Sequence, residues 1–236
     1  YSMGGVPTTT VAEVLDIHDR PIEGFFAAGE AACVSVHGAN RLGSNSLLEC
    51  IVFGKQAGSS IARYVRAKPG SLSGLDEDHY LAEARALLAG LLEQPGHIRI
   101  DQLRRTFQDT MTDHASIFRD ADGLQEGLDK IHQLKARYSD IRLDDQGTVF
   151  NTEIIEALEL RSLLTVGEMI LTSALERRES RGAHYRTDYP ERDDVRFLKH
   201  TLAYCQEGHV QIDSRPVDLS LQLVDPARFT PQERKY

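Results

Sequence analysis

The sequence predicts an α+β chain: strands and one helix first, then a bundle of three to four helices, then a β-hairpin with an extended tail. Three observations support this. Residues 24–48 alternate a short apolar run, a glycine-punctuated loop and the opening of a helix. Residues 80–178 show apolar spacing at i+3 and i+4. From Phe197 onward the pattern changes to short runs around Glu207-Gly208.

Composition narrows the possibilities further. The chain has 236 residues and a formal charge of -9, which argues against a nucleic-acid partner, because phosphate neutralisation needs a basic face. No run of about 18 apolar residues occurs, so no direct membrane span is expected. The opening Tyr1-Ser2-Met3-Gly4-Gly5 has neither the charged nor the apolar region of a signal peptide. Cys33, Cys50 and Cys205 form no Cys-x-x-Cys pair, which speaks against a zinc or iron–sulfur site within the chain and for free thiols in a reducing compartment. Turn chemistry is already under way at Met3-Gly4-Gly5-Val6-Pro7-Thr8. The expectation is a C-terminal piece of something larger.

Taken in order, Val11 to Ile17 is strand-like and His18-Asp19-Arg20-Pro21 a turn. Phe25-Phe26-Ala27-Ala28 between Gly24 and Gly29 reads as a parallel strand buried on both faces. A helix is expected from Ser46 to about Arg66, with Leu47, Leu48, Ile51, Val52, Lys55, Ser59 and Ala62 on one side and Gly54 and Gly58 allowing close packing on a sheet. Residues 67–78, with Lys68-Pro69-Gly70-Ser71, have linker chemistry. Helices follow at Tyr80–Glu93, Asp101 to about Arg119 (Leu103, Phe107, Met111, Ala115, Phe118) and Gly123–Tyr138. Asn151 is a fitting N-cap for a helix ending near Arg178, apolar around most of its circumference and so central to the bundle. The tail to Tyr236 reads as extended.

The candidate site lies in the N-terminal segment. Glu30, just past a strand, can accept two hydrogen bonds from a vicinal diol; the alternative is a surface acid in a cap or salt bridge. Ser46-Leu47 opens a helix whose N–H groups can meet an anionic oxygen, while Ser44, Asn45 or Ser46 could equally cap it. Arg41, a planar fork in a loop of small residues, suits a carboxylate, or it is a structural arginine paired with Glu30 or Glu49. His37 is a second donor there or a backbone-satisfied loop histidine. The mixed-charge block Glu179–Arg186 and Asp188–Asp194 is either a salt-bridge network or a partner contact face. His97, His114 and His132 lack i+4 partners, so no metal site is expected. No nucleophile elbow or phosphate loop occurs.

His37-Gly38-Ala39-Asn40-Arg41-Leu42-Gly43-Ser44-Asn45-Ser46-Leu47-Leu48, with Ala28-Gly29-Glu30 and Met3-Gly4-Gly5-Val6-Pro7-Thr8 before it, closely resembles the flavoprotein subunit of succinate dehydrogenase and fumarate reductase. Glu179-Ser180-Arg181-Gly182-Ala183-His184 and Asp188-Tyr189-Pro190-Glu191-Arg192-Asp193-Asp194, and the ending Pro231–Tyr236, resemble the same subunit's C-terminal domain. The resemblance implies an FAD enzyme of electron transport and the tricarboxylic acid cycle, interconverting succinate and fumarate by hydride transfer at the flavin. Electrons would pass to or from an iron–sulfur subunit docked on a membrane-anchor/quinone subunit. Glu30 would bind the ribitol hydroxyls, Ser46 and Leu47 would face the flavin pyrimidine edge, Arg41 would hold a substrate carboxylate, and Arg181 and His184 would belong to a partner interface.

With the 67–78 linker read from composition, the resemblance makes residues 1–66 the end of the FAD-binding domain, and the helical domain is expected at 79–194 with strands and tail at 195–236. The family's Gly-x-Gly-x-x-Gly fingerprint, flavin-attachment histidine and proton-delivering arginine are not in this sequence, so no catalytic residue is assigned within it and the piece alone is expected to be inactive. The resemblance implies a peripheral place on the cytoplasmic face of the inner membrane, or on the mitochondrial matrix side, through partner subunits. L-aspartate oxidase, with a similar Gly-Ala-Asn-Arg and Asn-Ser-Leu-Leu-Glu-Cys run, is the alternative within the family. A non-catalytic docking module is the alternative outside it.

Overall fold

The structure, a computed structural model, describes residues 3–68, 76–206, 208–220 and 224–226. Most of the expected linker, the 207 position of the hairpin turn and the Pro231–Tyr236 ending lie outside the described residues. Mixed helix and strand is what it contains: five helices and eight short strands among the described residues. They divide into two units, 1–83 with 181–183, and 84–180 with 184–236.

In the first unit, β1 (Val6–Pro7) pairs in parallel with β4 (Ala32–Cys33), and β2 (Glu13–Leu15) pairs antiparallel with β3 (Pro21–Phe26). The Asp16 carboxylate makes the turn between β2 and β3 by accepting from the N–H groups of His18 and Arg20, and Asp19 adopts φ 59°. Strand β2 is shorter than the apolar pattern at 11–17 because Ala12 sits at φ 69°, while Thr9 Oγ1 accepts from the N–H of Val11 and of Glu13. The run at 25–28 departs from expectation. It is not a parallel strand buried on both faces. Phe25-Phe26 ends β3, antiparallel, with Phe25 52% accessible and Phe26 half-buried, and Ala27 to Glu30 lie beyond it. A short apolar run between glycines does not specify its pairing partner, and the hairpin turn at 16–20 supplies one locally.

Helix α1 (Asn45–Ala67) packs on β3 through a different face from the one expected. Glu49, Ala57 and Ser60 are its buried residues, and Tyr64 sets its ring edge-on to Phe26 at 6.1 Å. Leu47, Leu48, Ile51 and Val52 point outward and are exposed. A Cβ added at Gly54 or Gly58 would meet nothing within 4 Å, so these glycines make no close approach. The stripe 49-57-60-64 also follows helical spacing, and its small members permit contact with β3.

Helix α2 (Glu77–Glu93) begins in the first unit and runs into the second, where β5 (Ile98–Arg99), α3 (Ile100–Ala115), α4 (Ala121–Tyr138), β6 (Ile141–Arg142) and α5 (Thr152–Glu176) follow. Leu103 and Phe107 of α3, Leu124, Ile131 and Leu134 of α4, and Ala157, Leu160, Leu164 and Leu171 of α5 form one core. Asn151 caps α5 by accepting from Ile154 N–H at 3.2 Å, as its position predicts. Helix α3 stops at Ala115, short of Arg119, because the Arg119 guanidinium turns back to donate to the carbonyls of Ala115 and Ser116. Phe118 thus leaves the expected stripe and is exposed, edge-on to Tyr185. The hairpin β7 (Lys199–Gln206) and β8 (His209–Pro216) is antiparallel with continuous register from Lys199–Pro216 to Gln206–His209. It packs on α5. Among the described residues no helix is long and apolar enough to cross a membrane.

Candidate functional site

The loop from His37 to Ser44 turns on Gly38 at φ 64° and delivers its one arginine inward. Arg41 is 6% accessible although its neighbours are loop residues. Its Nη2 lies 3.3 Å from Glu49 Oε2, and the same carboxylate oxygen lies 2.6 Å from His37 Nε2. A buried guanidinium and carboxylate require mutual pairing. Of the two partners the sequence offers, Glu49 takes the role and Glu30 does not. The Arg41 backbone N–H donates to Met3 Sδ at 3.0 Å.

Glu49 belongs to the first turns of α1, so the arginine is fixed to the start of that helix. Ser44 occupies the N-cap position at φ 68°, a left-handed conformation in which its side chain makes no capping bond. Asn45 N–H bonds to Leu42 O and Leu48 N–H to Ser44 O. Ser46 and Leu47 form the opening turn, Leu47 fully outward at 68% accessibility. The alternative of a side-chain-capped helix does not hold here, and the positive end of the helix macrodipole lies at these N–H groups. Glu30 sits exposed in the turn between β3 and β4, after buried Gly29 at φ 79°. An open cleft beside this helix is lined by His37, Asn45, Leu48, Glu49, Val52 and Phe53.

The second block divides. Arg181, Gly182 and Ala183 fold with the first unit, and their flanking residues with the second. In the second unit, Arg186 is 1% accessible. It donates through Nη1 to the carbonyls of Ala174 and Leu175 at the end of α5, and through Nε and Nη2 to both oxygens of Asp188. That fork holds the Asp188 carboxyl below the usual carboxylate range. Asp188 also accepts from Ala121 N–H at the start of α4. Arg177 bonds Glu179 and the carbonyls of Phe197 and Lys199, and fully buried Glu179 accepts from Asp193 N–H.

His184 lies half-buried among these arginines. Its Nδ1 is 3.1 Å from Arg119 Nη1 and its Nε2 3.1 Å from Arg177 O. A guanidinium only donates, so Nδ1 accepts and Nε2–H donates, which fixes a neutral ring. Burial, aided by the charges of Arg119, Arg177 and Arg186, lowers its pKa to about 4. The block is thus a charge network that closes the end of α5. Sequence reasoning placed Arg181, His184 and Arg186 in this mixed-charge block but did not foresee that Arg186 reaches back to the end of α5, whose last turn has no basic residue. It also named Glu49 only as a possible partner.

The first 47 residues match the FAD binding domain family, and residues 104–236 match the family described as fumarate reductase flavoprotein C-term. The second match covers more than half of the chain. The chain belongs to the fumarate reductase flavoprotein family. It is 39% identical over 241 residues to the succinate dehydrogenase flavoprotein subunit of Rickettsia bellii, covering all of this chain and 40% of that protein. With the fumarate reductase flavoprotein subunit of Haemophilus influenzae it shares 43% over 222 residues, covering 93% and 36%. A solved quinol fumarate reductase of E. coli superimposes with a TM-score of 0.83 at 36% identity, covering 92% of this chain and 36% of that one. The chain spans about two fifths of the length of the first of these flavoproteins.

Proposed function

We propose that this chain is the C-terminal part of an FAD-containing subunit that interconverts succinate and fumarate and exchanges electrons with an iron–sulfur subunit on a membrane-anchored quinone partner. The observation that supports this best is the buried Arg41, fixed by Glu49 at the opening of α1, in a chain of the fumarate reductase flavoprotein family. A guanidinium has five N–H donors, so one fork serves Glu49 and a substrate carboxylate together. Held in a water-poor loop by a fixed partner, it orients a dicarboxylate without reorganising as it binds.

The residues present fit one edge of the flavin. Exposed Glu30, after a glycine with left-handed φ, would accept from the ribitol hydroxyls. The uncapped N–H groups of Ser46 and Leu47 would meet the pyrimidine edge, where the helix dipole favours negative charge. FAD, when bound, supplies the hydride-exchanging ring. The chain's own part is to clamp the substrate carboxylate through Arg41 and to stabilise charge through the α1 terminus. Partner docking through Arg181 and His184, and a peripheral membrane position through those partners, belong to the same proposal.

The test is Arg41→Gln in the full-length flavin-loaded enzyme. Removing a buried charged contact worth about 2 kcal/mol or more raises KM for the dicarboxylate about thirtyfold, with flavin content unchanged. A KM equal to that of the unsubstituted enzyme would refute the assignment.

A further inference from the structure

We propose that Gly182 is a positioning residue for Arg41, acting as a backbone strut on the loop that carries it. The inference rests on the reading of Arg41 as the substrate-carboxylate arginine. Ala183 N–H donates to Ala39 O at 2.9 Å, two residues before Arg41. Gly182 holds φ 59°. A Cβ placed on it would lie 2.4 Å from Ala39 O, 2.6 Å from Ala39 C and 2.9 Å from Ala39 Cβ. Two of those three atoms are backbone, so relief requires the loop itself to move. Left-handed φ disfavours most side chains, and the contact with backbone leaves no room for a Cβ here.

The geometry explains why a segment some 140 positions downstream folds with the first unit. Gly38 and Gly43 give the 37–44 loop much conformational freedom, and a Cβ at either would meet nothing within 4 Å. Such a loop does not fix a guanidinium by its own sequence. Arg41 is held at its tip by Glu49 and at its backbone by Met3 Sδ. The Ala183–Ala39 bond fixes the approach of the chain before it. Three anchors from three separated stretches give one side chain one place. Displacing the loop by the few tenths of an ångström to an ångström that a Cβ demands acts on ligand orientation, where misplacement by about 1 Å is costly.

The experiment is Gly182→Ala in the full-length flavin-loaded enzyme, with KM, kcat, flavin content and affinity for a short competitive dicarboxylate measured together. The expected result is about a tenfold rise in KM and in the inhibitor dissociation constant, with flavin content retained. In the Arg41→Gln background the same substitution adds less than about threefold, because both act through one contact. Gly182→Asn tolerates left-handed φ but keeps a Cβ, so it must also raise KM while disturbing folding less. Unchanged KM in a flavin-loaded Gly182 variant overturns the proposal, as does failure of both variants to yield flavin-loaded enzyme, which assigns the glycine to folding alone. If Arg41→Gln itself leaves KM unaltered, the substrate reading fails instead.

Discussion

His184 shows how one side chain turns packing into a pH dependence. Its ring gains a proton only below about pH 4 in the folded chain, against 6.5 for an ordinary histidine. Between these values the unfolded chain binds a proton that the folded chain does not, so stability falls as pH drops from about 6.5 to about 4 and is present in full above 6.5. His184→Gln is expected to flatten that part of the urea-midpoint profile relative to the unsubstituted chain; parallel profiles would show that the ring does not contribute. Other residue roles were legible to different degrees. The sequence shows that Arg41 is a planar fork among small residues, which suits a carboxylate partner. Whether that carboxylate is Glu30 or Glu49 depends on which face of α1 turns inward. Apolar spacing pointed to Leu47 and Leu48, and the structure turns Glu49 inward instead.

At the scale of elements, helix existence was legible and helix ends were not. The i+3 and i+4 stripes of α3, α4 and α5 are strong local signals, and Asn151 marks the start of α5 by its own chemistry. The ends depend on distant arginines. Helix α3 stops where Arg119 folds back on it, and α5 stops where Arg186, with its donors aimed at Ala174 O and Leu175 O, substitutes for a basic last turn. Strands β2 and β3 were harder to read, because short apolar runs carry no pairing information and a left-handed Ala12 cuts the pattern short. Arg186→Met removes the donors to two α5 carbonyls and should destabilise the second unit by about 3 kcal/mol, read as a lower urea midpoint by circular dichroism. Asp188→Asn should cost far less, because that carboxylate is partly exposed and keeps hydrogen-bonding capacity. An unmoved midpoint for Arg186→Met would mean that water satisfies those carbonyls.

At the scale of the whole molecule, two long motifs in order identified the family, while the balance between apolar residues and their cover was invisible until the fold was in hand. Helix α1 presents Leu47, Leu48, Ile51, Val52, Ile61 and Val65 outward, and α2 presents Tyr80, Leu81, Leu87 and Leu88. Exposed apolar side chains in such numbers mark a site of association or of aggregation. The FAD-binding match ends at residue 47, and no Gly-x-Gly-x-x-Gly occurs in the 236 residues, so the pyrophosphate cradle that such a loop provides is not supplied by this sequence. On the proposed reading Glu30 and the α1 terminus would meet one edge of a large cofactor, and one edge contributes only part of the contact area that gives tight binding. The 236-residue chain is therefore expected to bind a polarity-sensitive apolar dye, to self-associate as its concentration rises, and to purify with far less than one flavin per chain. In the full-length enzyme dye binding should fall and flavin should be stoichiometric. Stoichiometric flavin on the 236-residue chain would show that the cofactor site is complete without a dinucleotide fingerprint, and the division of labour argued for Glu30, Ser46 and Leu47 would have to be redrawn.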